Sequence, residues 1–303
     1  MDRAPDVTPE LPTRTWRAIL ALLGRLPQGA ASRAMGRLAD TPLPRPLRRP
    51  VLTLFARAFG IDAAEAERPI TEYGSINDFF VRRLRPGART WSGDAATLAS
   101  PVDGIIGRAG PIERGTLIQA KGRHYRVGDL LASDEDGARY DGGAFITIYL
   151  SPRHYHRIHA PCGGAIVGAR HVPGGLLPVN GPAVAHVDRL FARNERLVCE
   201  IEGPLGRVAV VAVGAYNVGR ISAAFDAGWG DATAGGSVTN RRGAVVETRR
   251  YDPPRTVRPG EEIMAFHLGS TVVLLVEPGR IAPRTALGPG REIRLGSVIA
   301  AAV

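Results

Sequence analysis

Four stretches of the chain are short aliphatic runs closed off by glycine: GAFITIYL (143–150), RLVCEIEG (196–203), GRVAVVAVGAYNVGRI (206–221) and STVVLLVEPG (270–279). Runs of this length, rich in Val and Ile and bounded by turn residues, read as strands, and the unbroken apolar run 272–276 reads as a buried one. They commit everything after about residue 95 to β structure. Only 6% of the 303 residues are aromatic while Gly and Pro number 37 and 24, so the core must be built from Val, Leu, Ile and Ala with frequent turns. The fold class read from this is α+β, with basic helices over residues 1–95 followed by a β-rich barrel or sandwich over 96–303. One feature of the last run is out of place: a buried strand is headed by the polar Gly269-Ser270-Thr271.

The first 95 residues have a helical period instead. Trp16, Ile19, Leu20, Leu23 and Leu26 fall on one face at i, i+3, i+4, i+7 spacing, with Arg14, Arg17 and Arg25 around them, and Pro27 ends the helix. A weaker helix carries Met35 and Leu38 with Arg33 and Arg37. Pro42, Pro44, Pro46 and Pro50 then break the chain before 51–59. A further helix starts at Ser75, which can cap it with Asp78 three residues on, and runs to Pro86-Gly87. The formal charge of +10 points to an anionic partner. These helices are either packed on a core with their Arg solvated, or docked at a lipid interface with Trp16, Leu20 and Leu23 in the acyl boundary and Arg14, Arg17 and Arg25 on headgroups. Nucleic acid fits less well, because no binding motif accompanies the charge. No apolar run approaches the roughly 18 residues of a spanning helix, and MDRAPDVTPELP lacks the basic-then-apolar order of a signal peptide. Two cysteines, Cys162 and Cys199, favour a reducing compartment over a disulfide framework. A soluble or peripheral protein is expected.

Two segments share the order small residue, Pro, two residues, Gly, one residue, Ile: SPVDGIIG (100–107) and APCGGAIVG (160–168). The repeat suggests duplication of a short-stranded unit, and it isolates one asymmetry, Asp103 standing where the second copy has Gly163. Beside the second copy, His154, His156 and His159 fall within six residues, three of the seven histidines in the chain. H-x-H-x-x-H with Asp103 as a fourth ligand would serve a zinc hydrolase, although it matches no closed zinc pattern and lacks H-E-x-x-H. The other reading is acid–base chemistry, which requires a nucleophile.

Gly269-Ser270 can supply one. A serine after glycine can attack its own preceding peptide carbonyl when a base takes the hydroxyl proton, since glycine has no side chain to obstruct the approach. Removal of the Ser Cα proton from the resulting ester then breaks the chain and leaves a dehydroalanine, which hydrolyses to a pyruvoyl group and ammonia.

FHLGSTVVLLVE (266–277) resembles the processing site of the phosphatidylserine decarboxylases. So, in order, do INDFFVRRLRPGAR (76–89), SPVDGII (100–106), LSPRHYHRIHAPCGG (150–164), PVNGPAV (178–184) and LFARNERLV (190–198). The resemblance implies a proenzyme that cleaves itself between Gly269 and Ser270, with Asp103, His159 and Ser270 as the charge-relay set. It implies a covalent pyruvoyl cofactor from Ser270 that forms a Schiff base with phosphatidylserine and releases phosphatidylethanolamine. It leaves His156 to handle substrate protons, and His154 and His267 outside the motifs. The partners implied are phosphatidylserine, an anionic membrane surface and the chain's own small product 270–303 held on 1–269, with a homo-oligomer compatible. The location implied is peripheral, on the cytoplasmic face of the cell membrane. A zinc hydrolase using His154, His156 and His159, and a non-catalytic lipid-binding module, are the competing readings.

Overall fold

The computed structural model describes residues 28–94, 96–120, 122–215, 220–230, 236–267, 270–283 and 287–303. The proposed docking residues Arg14, Trp16, Arg17, Leu20, Leu23 and Arg25 lie outside the described residues. Three helices come first: α1 (Gln28–Asp40), α2 (Arg45–Phe59) and α3 (Ile76–Phe80). No described helix is long and apolar enough to cross a membrane.

The prolines do not break α2 where the sequence led us to expect. Pro44 is its N-cap and Pro46 sits in the first turn, where no N–H is required, so only Pro50 removes an internal hydrogen bond. Conversely α3 is shorter than expected. Ser75 caps it, its Oγ accepting from Asp78 N–H at 3.1 Å, but it ends at Phe80 because 81–85 turns away to bond 65–67, through Glu67 N–H to Arg83 O and Arg85 N–H to Glu65 O. In α1 the buried face is the small-residue one, Ser32, Gly36 and Ala39, while Met35 and Leu38 point outward.

The strands are β1 (Thr97–Ala99), β2 (Gly104–Pro111), β3 (Thr116–Ala120), β4 (Arg123–Arg126), β5 (Ala144–Leu150), β6 (Arg157–His159), β7 (Gly164–Val172) and β8 (Arg196–Gly203). They continue with β9 (Gly206–Val213), β10 (Ile221–Ala223), β11 (Glu247–Val257), β12 (Glu262–Phe266), β13 (Ser270–Val276), β14 (Ile281–Pro283), β15 (Glu292–Ile293) and β16 (Val298–Ala302). Four short helices lie between strands: α4 (Val127–Leu131), α5 (Asp134–Ala138), α6 (Gly181–His186) and α7 (Leu190–Arg193). An eight-stranded antiparallel sheet runs β11-β7-β8-β9-β13-β5-β2-β15, and its four consecutive strands β8, β9, β13 and β5 are the four aliphatic runs of the sequence. Both faces of these strands are covered, which is why they do not alternate with polar residues. Val272, Leu274 and Val276 face the small sheets β10-β12-β6 and β1-β16-β14, while Val273 and Leu275 pack with Leu117 and Tyr125 of the β3–β4 hairpin, Leu130 of α4 and Phe191 of α7. The edges β11 and β15 do not pair, so of the barrel and sandwich expected, the open sandwich is formed.

The sequence repeat has a structural meaning. Its glycines, Gly104 and Gly164, open β2 and β7 at close crossings: a Cβ on Gly104 would lie 2.7 Å from Tyr149 O, and one on Gly164 2.2 Å from Glu202 O. The two copies also bond each other, His159 N–H to Pro101 O and Ala99 N–H to Pro161 O, both at 2.9 Å. That exchange brings the Asp103 turn against the histidine segment.

Candidate active site

Residues 151–156 lead from β5 to β6, and 267–269 lead from β12 to β13. Ser270 is paired with Leu150, and Phe266 N–H donates to His156 O at 2.9 Å, so the expected cleavage segment is framed by the histidine segment at both ends. Leu268 and Gly269 themselves lie outside the described residues.

Ser270 is the first residue of β13 and only 1% exposed, and its Oγ has no hydrogen-bond partner among the described residues. A hydroxyl in that position is expected to find a partner, and an orphaned one costs about 1–3 kcal/mol. His156 is fully buried, with its ring centroid 4.0 Å from that of Phe80. Its Nδ1 lies 2.8 Å from His154 O. A carbonyl only accepts, so Nδ1 carries the proton and Nε2 the lone pair. That Nε2 is also buried and has no partner among the described residues. Burial holds His156 well below its ordinary pKa against the pull of the His154 carbonyl, and the charge of Arg82 adds to the depression.

His159 has the same tautomer for the same reason, Nδ1–H donating to Gly260 O at 2.7 Å, but its Nε2 accepts from Tyr155 O–H at 3.2 Å. Burial lowers its pKa, and the nearby charges of Glu262 and Asp103 oppose that. His159 pairs with Glu262 on β12, three residues further along the histidine segment than His156, a separation of about 10 Å along an extended chain. Asp103 is buried and does not hydrogen-bond either imidazole. Its oxygens accept from Arg89 Nε (2.8 Å) and Nη2 (2.5 Å) and from Leu295 N–H (2.9 Å). Burial raises its pKa, but these bonds and the Arg89 charge outweigh it and hold the carboxyl below its ordinary range. Arg89 also grips Glu65 through Nη1 at 2.9 Å and Nη2 at 2.8 Å. Asp103 and His159 therefore lie within reach of each other's charge, but neither is hydrogen-bonded to the other or to Ser270 among the described residues, because a bidentate guanidinium is a stronger partner for a carboxylate than a neutral imidazole is.

The three histidines of the zinc reading do not converge. His154 Nδ1 accepts from Ser151 N–H at 2.9 Å, His156 and His159 are committed as described, and no group of three His, Cys, Asp or Glu side chains among the described residues could hold a metal ion. His154, outside the motifs, locks the turn, and its backbone carbonyl sets the His156 tautomer.

Several residues of the site escaped motif reading. Arg89 closes INDFFVRRLRPGAR, and Arg82 lies inside it, 2% exposed, with Nε and Nη1 lacking a partner among the described residues and Nη2 only 3.5 Å from Arg153 O. His267 is held by Asn77 Nδ2 on Nδ1 and faces Ser222 Oγ with Nε2, both at 3.2 Å, and its N–H donates to Arg220 O at 3.0 Å. Its place three residues before Ser270 was the one signal in the sequence; its partners come from α3 and β10.

The family model for phosphatidylserine decarboxylase matches residues 76–301. The chain is 43% identical over 286 residues to a phosphatidylserine decarboxylase proenzyme of Anaeromyxobacter sp. (strain K), covering 94% of this chain and 99% of that one. It is 41% identical over 281 residues to the proenzyme of that name from Brevibacillus brevis (92% and 96% covered), and 39% identical over 283 residues to the one from Myxococcus xanthus (93% and 98% covered). With three quarters of its length inside the family model and relatives of this identity aligned almost end to end, the chain belongs to the phosphatidylserine decarboxylase family.

Proposed function

We propose that the chain is a self-processing proenzyme that cleaves between Gly269 and Ser270 and then decarboxylates phosphatidylserine to phosphatidylethanolamine. The observation that carries the reading is the Ser270 hydroxyl, buried at the head of a central strand and without a partner among the described residues. In the processing step a histidine Nε2 takes the Ser270 Oγ proton while Oγ attacks the carbonyl of residue 269. His159 is the base in this scheme, its Nδ1–H fixed by Gly260 O and its imidazolium stabilised by the ionised Asp103, which acts through its charge. His156 then serves the substrate, holding or returning a proton at Nε2. One observation favours exchanging the two roles: His156, not His159, lies at the scission end of the ladder and has the free lone pair.

A pyruvoyl group at residue 270 would supply a ketone that captures the substrate amine and accepts electrons as carbon dioxide departs. The residues present suit it. Position 270 is sealed from solvent, and β13 is held on both sides, by β5 from Ser270 and by β9 from Thr271 onward. After cleavage, 270–303 would remain bound through β13, through β15 on β2 and through β16 on β1. Arg82 keeps a positive field on His156, which favours its neutral, basic form.

A lipid substrate implies work at a membrane surface, on the cytoplasmic face. The outward Leu38, Leu47 and Leu54, 65%, 49% and 70% exposed, support that reading together with Arg45, Arg49 and Arg57 on α2. Intact mass of the purified protein tests the proposal. Two chains, 1–269 and a 34-residue 270–303 whose first residue has lost its amine, are expected. A single intact chain that decarboxylates phosphatidylserine would overturn it.

A further inference from the structure

A cavity of about 750 Å³ opens between α1 and the segment that leads into β11. Arg33, Arg37 and Asp40 line it from α1, and Arg220, Arg241 and Arg242 from the other side. With Glu247 at its edge, five guanidiniums face two carboxylates. Both carboxylates are already engaged: Asp40 by Arg220, at 2.5 and 2.8 Å, and Glu247 by Arg241 at 2.7 Å. Arg33 reaches only the neutral Asn240 Oδ1 at 3.0 Å, and Arg37 and Arg242 have no carboxylate partner among the described residues. Among the described residues the cavity thus carries surplus positive charge with unused donors.

Its rim is apolar. Val245 and Val246 line it while 74% and 50% exposed, and α1 beside it leaves Leu38 65% and Met35 39% exposed. Two adjacent exposed valines next to unpaired arginines suit a ligand with an anionic head and an apolar tail, and suit a bare inorganic ion poorly. None of Asp103, His156, His159 or Ser270 lines the cavity. It adjoins their region through Asp40, which accepts from Asn77 Nδ2 at 2.8 Å, the same nitrogen that meets His267. A phosphatidylserine reacting at residue 270 carries its phosphate only four bonds from its amine, so the head group of the reacting molecule belongs with Ser270.

We propose that this cavity binds the phosphate of a second anionic phospholipid, on Arg33, Arg37 and Arg242, with its acyl chains leaving over Val245 and Val246. The inference rests on the proposed lipid function only for the presence of a phospholipid surface.

The full-length Ser270→Ala protein separates the two, because its binding does not depend on processing. Titrated calorimetrically with dihexanoyl phosphatidylglycerol below its micelle concentration, it should bind this lipid well above dihexanoyl phosphatidylcholine. Arg37→Glu with Arg242→Glu should weaken the anionic lipid by roughly 30-fold or more, at about 1 kcal/mol for each lost Arg contact and further for the reversed charge. Val245→Ser with Val246→Ser should weaken the lipid and leave inorganic phosphate unchanged. Equal affinity for inorganic phosphate and the lipid would overturn the lipid assignment, as would a charge-reversed protein that binds like the parent. In the processed enzyme, competitive inhibition of decarboxylation by this lipid that vanishes in the Arg37→Glu, Arg242→Glu variant would make the cavity the substrate's own site, and would overturn the second lipid.

Discussion

His267 offers a sharp test because its proton is linked to stability by a calculable amount. Burial of the ring, with the Arg220 charge adding, lowers its pKa from the ordinary 6.5 to about 4, and the charge of Asp40 only partly opposes this. Above pH 6.5 the imidazole is neutral in both folded and unfolded chains and contributes no pH dependence. Between 6.5 and 4 the unfolded chain takes up a proton that the folded one refuses, so stability falls as the solution is acidified and levels off below the folded pKa. At about pH 5 a full shift amounts to about 2 kcal/mol, and the partial exposure of the residue trims this to between about 1 and 2 kcal/mol. His154, His156 and His159 are lowered too and act in the same direction, so the contribution must be isolated by difference. Glutamine at 267 keeps an acceptor for Asn77 and a donor for Ser222 but cannot titrate. Urea unfolding of Ser270→Ala and of Ser270→Ala with His267→Gln should therefore show the His267 protein losing about 1–2 kcal/mol more than the glutamine protein between about pH 8 and pH 5. If the stability gap between the two is the same at both pH values, the reasoning about the enclosed imidazole is wrong.

The remaining predictions concern processing and docking. Ser270→Ala should persist as one inactive chain by denaturing electrophoresis, and a two-chain, active Ser270→Ala protein would dispose of the mechanism. His159→Gln or Asp103→Asn should slow self-cleavage by about 10²- to 10⁴-fold while His156→Gln cleaves and loses decarboxylation; the opposite pattern in a cleavage time course exchanges the two histidines. Arg89→Met strips Asp103 and Glu65 of a shared partner, so urea unfolding in the Ser270→Ala background should register a loss of about 3 kcal/mol, and a loss under about 1 kcal/mol would demote the ion-pair pair to surface status. Removal of residues 1–27 should leave self-cleavage intact yet reduce sedimentation with anionic vesicles at low salt, with the difference shrinking at high salt; undiminished binding would release those residues from a docking role.

The β-rich half was legible because strand identity is local. Each central strand is an unbroken aliphatic run with glycine at its ends, and that signal needs no knowledge of neighbours. Gly269-Ser270 stood out too, since a polar pair heading a buried run is an anomaly in one dimension. Helix limits were less so: Pro50 is tolerated inside α2, and α3 stops five residues after its cap because 81–85 bonds 65–67. The face that α1 buries ran against its own hydrophobicity, small residues packing inward and Met35 and Leu38 facing out.

From the residues alone came an inventory: an aliphatic β core, a Gly-Ser pair at the head of a buried strand, and a carboxylate and histidines in the motifs around it. What only the tertiary structure decided was who faces whom. Arg89, 14 residues before Asp103, takes the carboxylate that the family resemblance assigned to a relay with His159. Pairing of Phe266 with His156 puts that histidine, rather than His159, at the end of β12 that leads to Ser270. Asn77 closes on a histidine 190 residues away. Hydrogen bonds and ion pairs are set by distances of about 3 Å between groups brought together by the whole fold, and residue type fixes only what each group can donate or accept.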